Sequence, residues 1–136
     1  MDDHSLSIIT EFIVKGLNSE DSLIREGASS LANNVCIFIP KVSSDPVLEL
    51  ISSITSSIQS EKDGEIAFRL LSALSHILYL STNDVKELFF SFQTDLIIKQ
   101  FINIQPTHFQ ASPSSSSKVI EISKELISML EVNLSK

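Results

Sequence analysis

Apolar residues recur at intervals of three and four along almost the whole chain, which is the spacing of one face of an α-helix. The pattern predicts a first helix that ends at Gly16 and a second that is capped by Asp21. A third begins at Asp45-Pro46, since an aspartate followed by proline is a strong helix-start signal. We expect the turn at residues 63–64 to separate it from a fourth helix, which is rich in leucine.

The rest of the chain predicts two further helices and one long loop. Asn83 or Asp84 is expected to cap a fifth helix, and a last helix follows residue 117. Prolines and a run of four serines predict a loop over residues 105–117. Residues 8–14 and 96–104 are rich in β-branched side chains, so buried strands are the alternative there, although no hairpin turns flank them.

The apolar residues of the second predicted helix form a stripe that we expect to be buried. Its members are Ile24, Ala28, Leu31, Val35 and Phe38. Similar triplets recur at residues 28, 31 and 35, at 71, 74 and 78, and at 123, 126 and 130, with offsets of 43 and then 52 residues. A helical period of about 40–47 residues is typical of armadillo and HEAT solenoids. An ordinary helical bundle stays open as the alternative, because any amphipathic helix contains such triplets.

Composition and charge narrow the possible functions. The chain has 136 residues, which is enough for one domain, and its net charge is −7. A net-acidic surface repels phosphate backbones, so we expect no nucleic-acid partner. Cys36 is the single cysteine, so no internal disulfide forms, and we expect a reducing compartment. No apolar run approaches the length of a membrane span, and no membrane partner is expected.

Candidate catalytic and metal-ligating residues do not form a recognisable pattern. The three histidines, His4, His76 and His108, are not spaced as metal ligands. Cys36 lies in an apolar stretch and is expected to be a small core residue. Acidic residues 61, 63 and 65 surround a predicted turn and are expected to form a solvated rim. We therefore expect no catalytic site, no metal and no cofactor.

A polar stripe on the fourth helix is more informative. Arg69, Ser72 and His76 lie at three- and four-residue steps on one face, opposite much of the leucine stripe. The same positions, shifted back by 43 residues, include Glu26 and Asn33. Stacked helices would align these side chains into a surface for an extended peptide, whereas a plain solvated face is the alternative. Arg69, flanked by core residues, is either held by an internal acid or presented to a partner.

The same residues carry a family resemblance. Residues 65–74, read EIAFRLLSAL, are similar to the "FRLLVALG" signature of the PUL domain. Residues 27–34, 84–99 and 118–130 resemble further PUL segments in the same order, with Asn34 on a family asparagine. The PUL domain is the C-terminal domain of the ubiquitin-binding WD-repeat family of phospholipase-activating protein, known as the Doa or Ufd type in fungi.

The resemblance implies an all-α, armadillo-like right-handed solenoid of about three repeats, without catalysis. It implies that a groove binds the C-terminal tail of the valosin-containing AAA ATPase, the ubiquitin-selective unfoldase, in the cytoplasm or nucleus. Arg69 matches the signature arginine and Asn34 the helix asparagine, while Asn33, Ser72 and His76 would hold the peptide beside them. Ubiquitin would be contacted only indirectly, through the parent protein.

Three features depart from the family pattern. The resemblance covers the C-terminal half of a PUL domain, residues 19–136, and leaves residues 1–18 as an unmatched first helix. Ser75 replaces a family glycine. The net charge of −7 fits poorly with a groove for an acidic tail. A structural cap or dimerisation domain is therefore the alternative function, with residues 5–17 as the face of a homodimer.

Overall fold

All the secondary structure in the described part of the chain is helical. The computed structural model describes residues 3–37, 45–79, 83–105, 107–109 and 115–132. These ranges hold seven helices, α1 (Asp3–Leu17), α2 (Ser22–Cys36), α3 (Asp45–Ser60), α4 (Gly64–Tyr79), α5 (Asn83–Ser91), α6 (Thr94–Phe101) and α7 (Ser115–Val132). Residues 8–14 and most of residues 96–104 are thus helical, and the strand alternative is wrong for both.

The helices stack in two rows. In one row α4 packs between α2 and α7, and in the other α3 packs against α1 and α6. The rows are joined where α1 meets α2, α3 meets α4 and α6 meets α7, while the short α5 contacts α4 and α6. Three successive helix pairs form this stack, which confirms the prediction of an all-α helical-repeat solenoid.

Helix α4 lies at the centre of the stack. It contacts α2, α3, α5 and α7. Nine of its sixteen residues are buried, including Ile66, Leu70, Leu74 and Ile77. A helix with neighbours on several sides needs a wide apolar stripe, and the leucine-rich sequence supplies it.

Helix α2 packs through a different stripe from the predicted one. Ala28 and Val35 are buried as expected, but Ile24 is 51% exposed and Leu31 40%. Phe38 lies outside the described residues. The buried face instead consists of Ala28, Ser29, Ala32, Val35 and Cys36. Small side chains let α2 approach its neighbours closely, so size as well as polarity decides which face is buried.

Gly16 has a packing role that the sequence analysis missed. We expected Gly16 to end the first helix, but α1 continues to Leu17. A Cβ atom at Gly16 would lie 2.6 Å from the Cβ of Ala28 on α2. The glycine therefore permits the close approach of α1 and α2 rather than terminating α1.

The predicted helix starts agree with the structure where their side chains are described. The Asp21 carboxylate accepts a hydrogen bond of 2.9 Å from the Leu23 N–H, which caps α2. The Asp63 carboxylate does the same for the Glu65 N–H at the start of α4, also at 2.9 Å. Helix α3 begins at Asp45, whereas the side chains of Asn83 and Asp84 lie outside the described residues.

The loop predicted over residues 105–117 is shorter in the structure. Helix α7 begins at Ser115, and Ser115 and Ser116 are buried in its first turn. Phe109 is also buried, and its ring stacks on that of Phe101 at a centroid distance of 6.4 Å. Phe109 and the first turn of α7 thus pack onto the helices, whereas residues 105, 107 and 108 are exposed.

A buried ion pair fixes the turn between α3 and α4. The Glu61 side chain is only 4% exposed and accepts hydrogen bonds from Arg25 Nε at 2.9 Å and Nη2 at 3.3 Å. Its Oε2 also accepts from the Lys62 N–H, while Arg25 Nη1 donates to the carbonyl oxygens of Ser19 and Glu20. The hydrogen bond to Glu61 raises the pKa of Arg25, although burial opposes this. The expectation that Glu61 belongs to a solvated rim is therefore wrong.

We expect Glu61→Gln to destabilise the chain by about 2 kcal/mol, because it weakens charge-assisted hydrogen bonds in a partly buried network. The midpoint of urea unfolding, followed by circular dichroism, measures this change. Glu49→Gln, at an exposed position on α3, is the matched control. Equal midpoints for the two variants would contradict a stabilising role for the pair.

Cys36 is expected to be unreactive in the folded chain. Its side chain is fully buried, and burial raises the pKa of the thiol to about 12. The reactive thiolate is therefore scarce near neutral pH. A thiol reagent at pH 8 should label Cys36 slowly in buffer and rapidly in concentrated urea. Labelling at equal rates in both conditions would contradict this placement.

Candidate functional site

The five predicted site residues lie on two helices that pack against each other. Asn33 and Asn34 are on α2, whereas Arg69, Ser72 and His76 are on α4. Asn34 is exposed and the other four are half-buried. The α2–α4 pair thus carries a polar surface formed from residues far apart in sequence.

The offset of 43 residues between the first two triplets corresponds to a real contact between α2 and α4. Arg69 Nη1 lies 3.2 Å from Glu26 Oε1, and these residues are 43 positions apart. The Arg69 side chain is 30% exposed and that of Glu26 is 48% exposed. Arg69 is therefore held by an acid of the same chain while it remains partly open to solvent, and its presentation to a partner stays a prediction.

The Arg69–Glu26 contact is an ion pair by distance, without an aligned hydrogen bond. Arg69 Nη1 is buried, and among the described residues no acceptor lies in line with its N–H bonds. The buried Oδ1 of Asn33 likewise meets no donor in the described part of the chain. Buried polar atoms without partners are uncommon in folded proteins and are costly. Two of the five predicted residues therefore retain unused hydrogen-bonding capacity.

The helix interior around Ser72 accommodates the departure from the family glycine. The Ser75 hydroxyl donates a hydrogen bond of 2.8 Å to the Ser72 carbonyl oxygen within α4. Ser75 is half-buried, and its polar group is satisfied by its own helix. The additional side chain thus leaves the backbone of α4 helical through His76 to Tyr79.

A second charge contact, which the sequence analysis missed, joins α4 to α7. Glu65 Oε1 accepts hydrogen bonds from the Ser115 hydroxyl at 2.7 Å and from Lys118 Nζ at 3.0 Å. These bonds lower the pKa of Glu65, and the charge of Arg69 one turn along α4 adds to the effect. Lys118 Nζ also lies 5.4 Å from the centre of the Phe68 ring, within cation–π range. These contacts span 50 and 53 residues, close to but not equal to the offset of 52 between the second and third triplets, so the repeat pattern did not identify the residues involved.

Together these contacts form a charged row across α2, α4 and α7, consisting of Glu26, Arg69, Glu65 and Lys118. Acidic and basic groups are equal in number within it. The resemblance implied a groove for an acidic tail, whereas the signature arginine here lies close to two carboxylates. Any anionic ligand of this surface would therefore meet a neutral row rather than a positive patch.

An open depression of about 880 Å³ lies elsewhere, beside the turn between α3 and α4. Arg25, Glu61, Lys62 and His108 are among the residues that line it. The Arg25 guanidinium already donates to Glu61 and to two carbonyl oxygens, so it is committed to the fold. We therefore do not assign the ligand surface to this depression.

Metal sites and membrane-spanning segments have no candidate in the part of the chain that the structure describes. Within the described residues, no three histidine, cysteine, aspartate or glutamate side chains are grouped so as to hold a metal ion. The described helices also include none that is both long and apolar enough to cross a lipid bilayer.

Comparison with known proteins identifies the family. No curated protein and no solved structure is significantly similar to the chain. The family model described as the PUL domain matches residues 2–125, which includes α1 and most of α7. The placement of a domain boundary after residue 18 stays a prediction. The match spans most of the chain, so the protein belongs to the PUL domain family, a family of protein-interaction modules.

Proposed function

We propose that the chain is a non-catalytic interaction module that binds the C-terminal tail of the valosin-containing AAA ATPase along α2 and α4. PUL domains are known to bind this ATPase, and Arg69 matches the arginine of the family signature that residues 65–74 resemble. The observation that carries the proposal is the polar surface of the α2–α4 pair. Its side chains are half-buried or exposed, and two of their buried polar atoms, Arg69 Nη1 and Asn33 Oδ1, have no hydrogen-bond partners among the described residues.

The chemistry of these side chains suits an extended acidic peptide. Arginine donates two parallel hydrogen bonds to a carboxylate, which makes Arg69 the anchor for a tail carboxylate. Asparagine amides both donate and accept, so Asn33 and Asn34 match the alternating N–H and C=O groups of a peptide backbone. Ser72 and His76 extend the same surface along α4.

The proposed role belongs to ubiquitin-dependent protein turnover in the cytoplasm or nucleus. In the parent family that the resemblance indicates, ubiquitin is bound by other parts of the protein, and the PUL domain recruits the ATPase. We therefore propose no direct ubiquitin contact for this chain. Binding should be weak, because few anchor residues are available and affinity in interfaces is concentrated in such anchors.

A second candidate function is association through α1. Phe12 is 70% exposed and Ile8 46%, and both lie on the face of α1 away from buried Leu6 and Ile13. Exposed apolar side chains at the end of a helical stack favour contact with another helical surface. This observation favours a structural cap, or a homodimer through residues 5–17, without peptide binding.

We expect Arg69→Glu to weaken binding of the ATPase tail peptide by about tenfold or more, because a charge-assisted pair becomes a repulsion. Fluorescence anisotropy with a labelled peptide measures the dissociation constant. Lys99→Glu, an equal charge reversal at an exposed position of α6, is the control and should change it little. Arg69→Ala with unchanged helicity separates loss of binding from loss of folding. Saturable binding with the same constant in wild type, Arg69→Ala and Arg69→Glu would count against the proposed site.

The second candidate makes a separate prediction about mass. If α1 forms a dimer, sedimentation equilibrium of the wild type should show a concentration-dependent mass, and Phe12→Lys should reduce it to that of a monomer. Leu96→Lys, at an exposed apolar position of α6, serves as the control. A wild type that stays monomeric at high concentration would rule out this homodimer.

A further inference from the structure

The two arginines of the chain are paired in contrasting ways. Arg25 meets Glu61 through two aligned hydrogen bonds, and the Glu61 side chain is almost fully buried. Arg69 meets Glu26 through a single contact of 3.2 Å that is not aligned for a hydrogen bond. The first pair is a fixed part of the fold, whereas the second is held mainly by charge.

Glu26 is the more replaceable of the two acids near Arg69. Glu65 is engaged by the Ser115 hydroxyl and by Lys118, which tie it to α7. Glu26 is nearly half exposed and contacts Arg69 from the surface of α2. Exposed ion pairs of this kind contribute little to folding, since water solvates both charges well when they separate.

We propose that Glu26 is a built-in competitor for Arg69, which a ligand carboxylate displaces when the α2–α4 surface binds an acidic peptide. This inference rests on the proposed function. In the free protein the Glu26 carboxylate neutralises the guanidinium. In the complex the ligand takes its place in an aligned pair, and Glu26 turns to solvent.

The exchange makes Glu26 a determinant of the affinity for acidic ligands. A ligand without a carboxylate offers nothing to replace Glu26, so Arg69 keeps its internal partner and contributes no affinity. A ligand with a carboxylate gains binding free energy, because its well-aligned ion pair with Arg69 replaces the poorly aligned pair with Glu26. Glu26 thus lowers the affinity for every acidic ligand and leaves the affinity for neutral ligands unchanged.

The test compares Glu26→Gln with the wild type in the same anisotropy titration with the ATPase tail peptide. We expect about two- to fivefold tighter binding, the range that corresponds to loss of one exposed ion pair. The gain should shrink as salt is added, because salt screens the competing charge. Glu11→Gln, which removes an exposed charge from α1, is the matched control and should show no such gain.

A second peptide, with its acidic side chains and its C-terminus converted to amides, tests the exchange itself. Glu26→Gln should bind this neutral peptide no more tightly than the wild type does. Urea unfolding of both proteins checks that the substitution leaves the fold intact.

The outcomes separate this inference from the proposed function. If Glu26→Gln binds the acidic peptide more tightly than the wild type does and shows no gain for the neutral peptide, the inference and the proposed function are both supported. The same holds where the wild type binds the acidic peptide too weakly to measure. Measurable wild-type binding that Glu26→Gln leaves unchanged or weakens overturns the competitor and leaves the proposed function standing. Absence of binding by both proteins overturns the proposed function and this inference together.

Discussion

The arrangement of this chain depends on the burial of α4 among four other helices. Each large apolar side chain that is fully buried contributes roughly 1.5–3 kcal/mol, and α4 has several of them, Leu70, Leu71 and Leu74 included. The helix is left open only along the strip that carries Arg69, Ser72 and His76. The core positions of α4 therefore determine stability, and the strip between them can vary in chemistry with little effect on the fold.

The Arg25–Glu61 pair has a complementary role at the edge of the stack. It joins the first turn of α2 to the turn before α4, and the backbone N–H of Lys62 donates to the same carboxylate. Gly64 is the first residue of α4, and a Cβ atom there would lie 2.6 Å from the Cβ of Ser115 on α7, so the glycine permits this close approach. The start of α4 is thus fixed against both α2 and α7, which brings Glu26, Arg69 and Lys118 into one row.

Much of this fold could be predicted from the sequence, because the spacing of large apolar residues is enough to locate the helices and the leucine-rich face of α4. The offset of 43 residues also anticipated that Glu26 and Arg69 are neighbours. Other features required the structure. The buried face of α2 is defined by small residues such as Ala32, which a hydrophobic pattern does not distinguish from exposed ones. The burial of Glu61 depends on Arg25, which lies 36 positions earlier, and no local pattern indicates such a pair.

The charged row changes what membership of the PUL family implies for this chain. A basic groove attracts an acidic tail before contact, because its potential extends about a Debye length into solution. Here the net charge of −7 opposes that attraction, and Glu26 and Glu65 offset the charges of Arg69 and Lys118. Long-range steering would therefore add little to the rate of association. Whatever affinity this surface has for an acidic peptide must arise at short range, from the quality of the hydrogen bonds that Arg69 and Asn33 make once the internal carboxylate has been displaced.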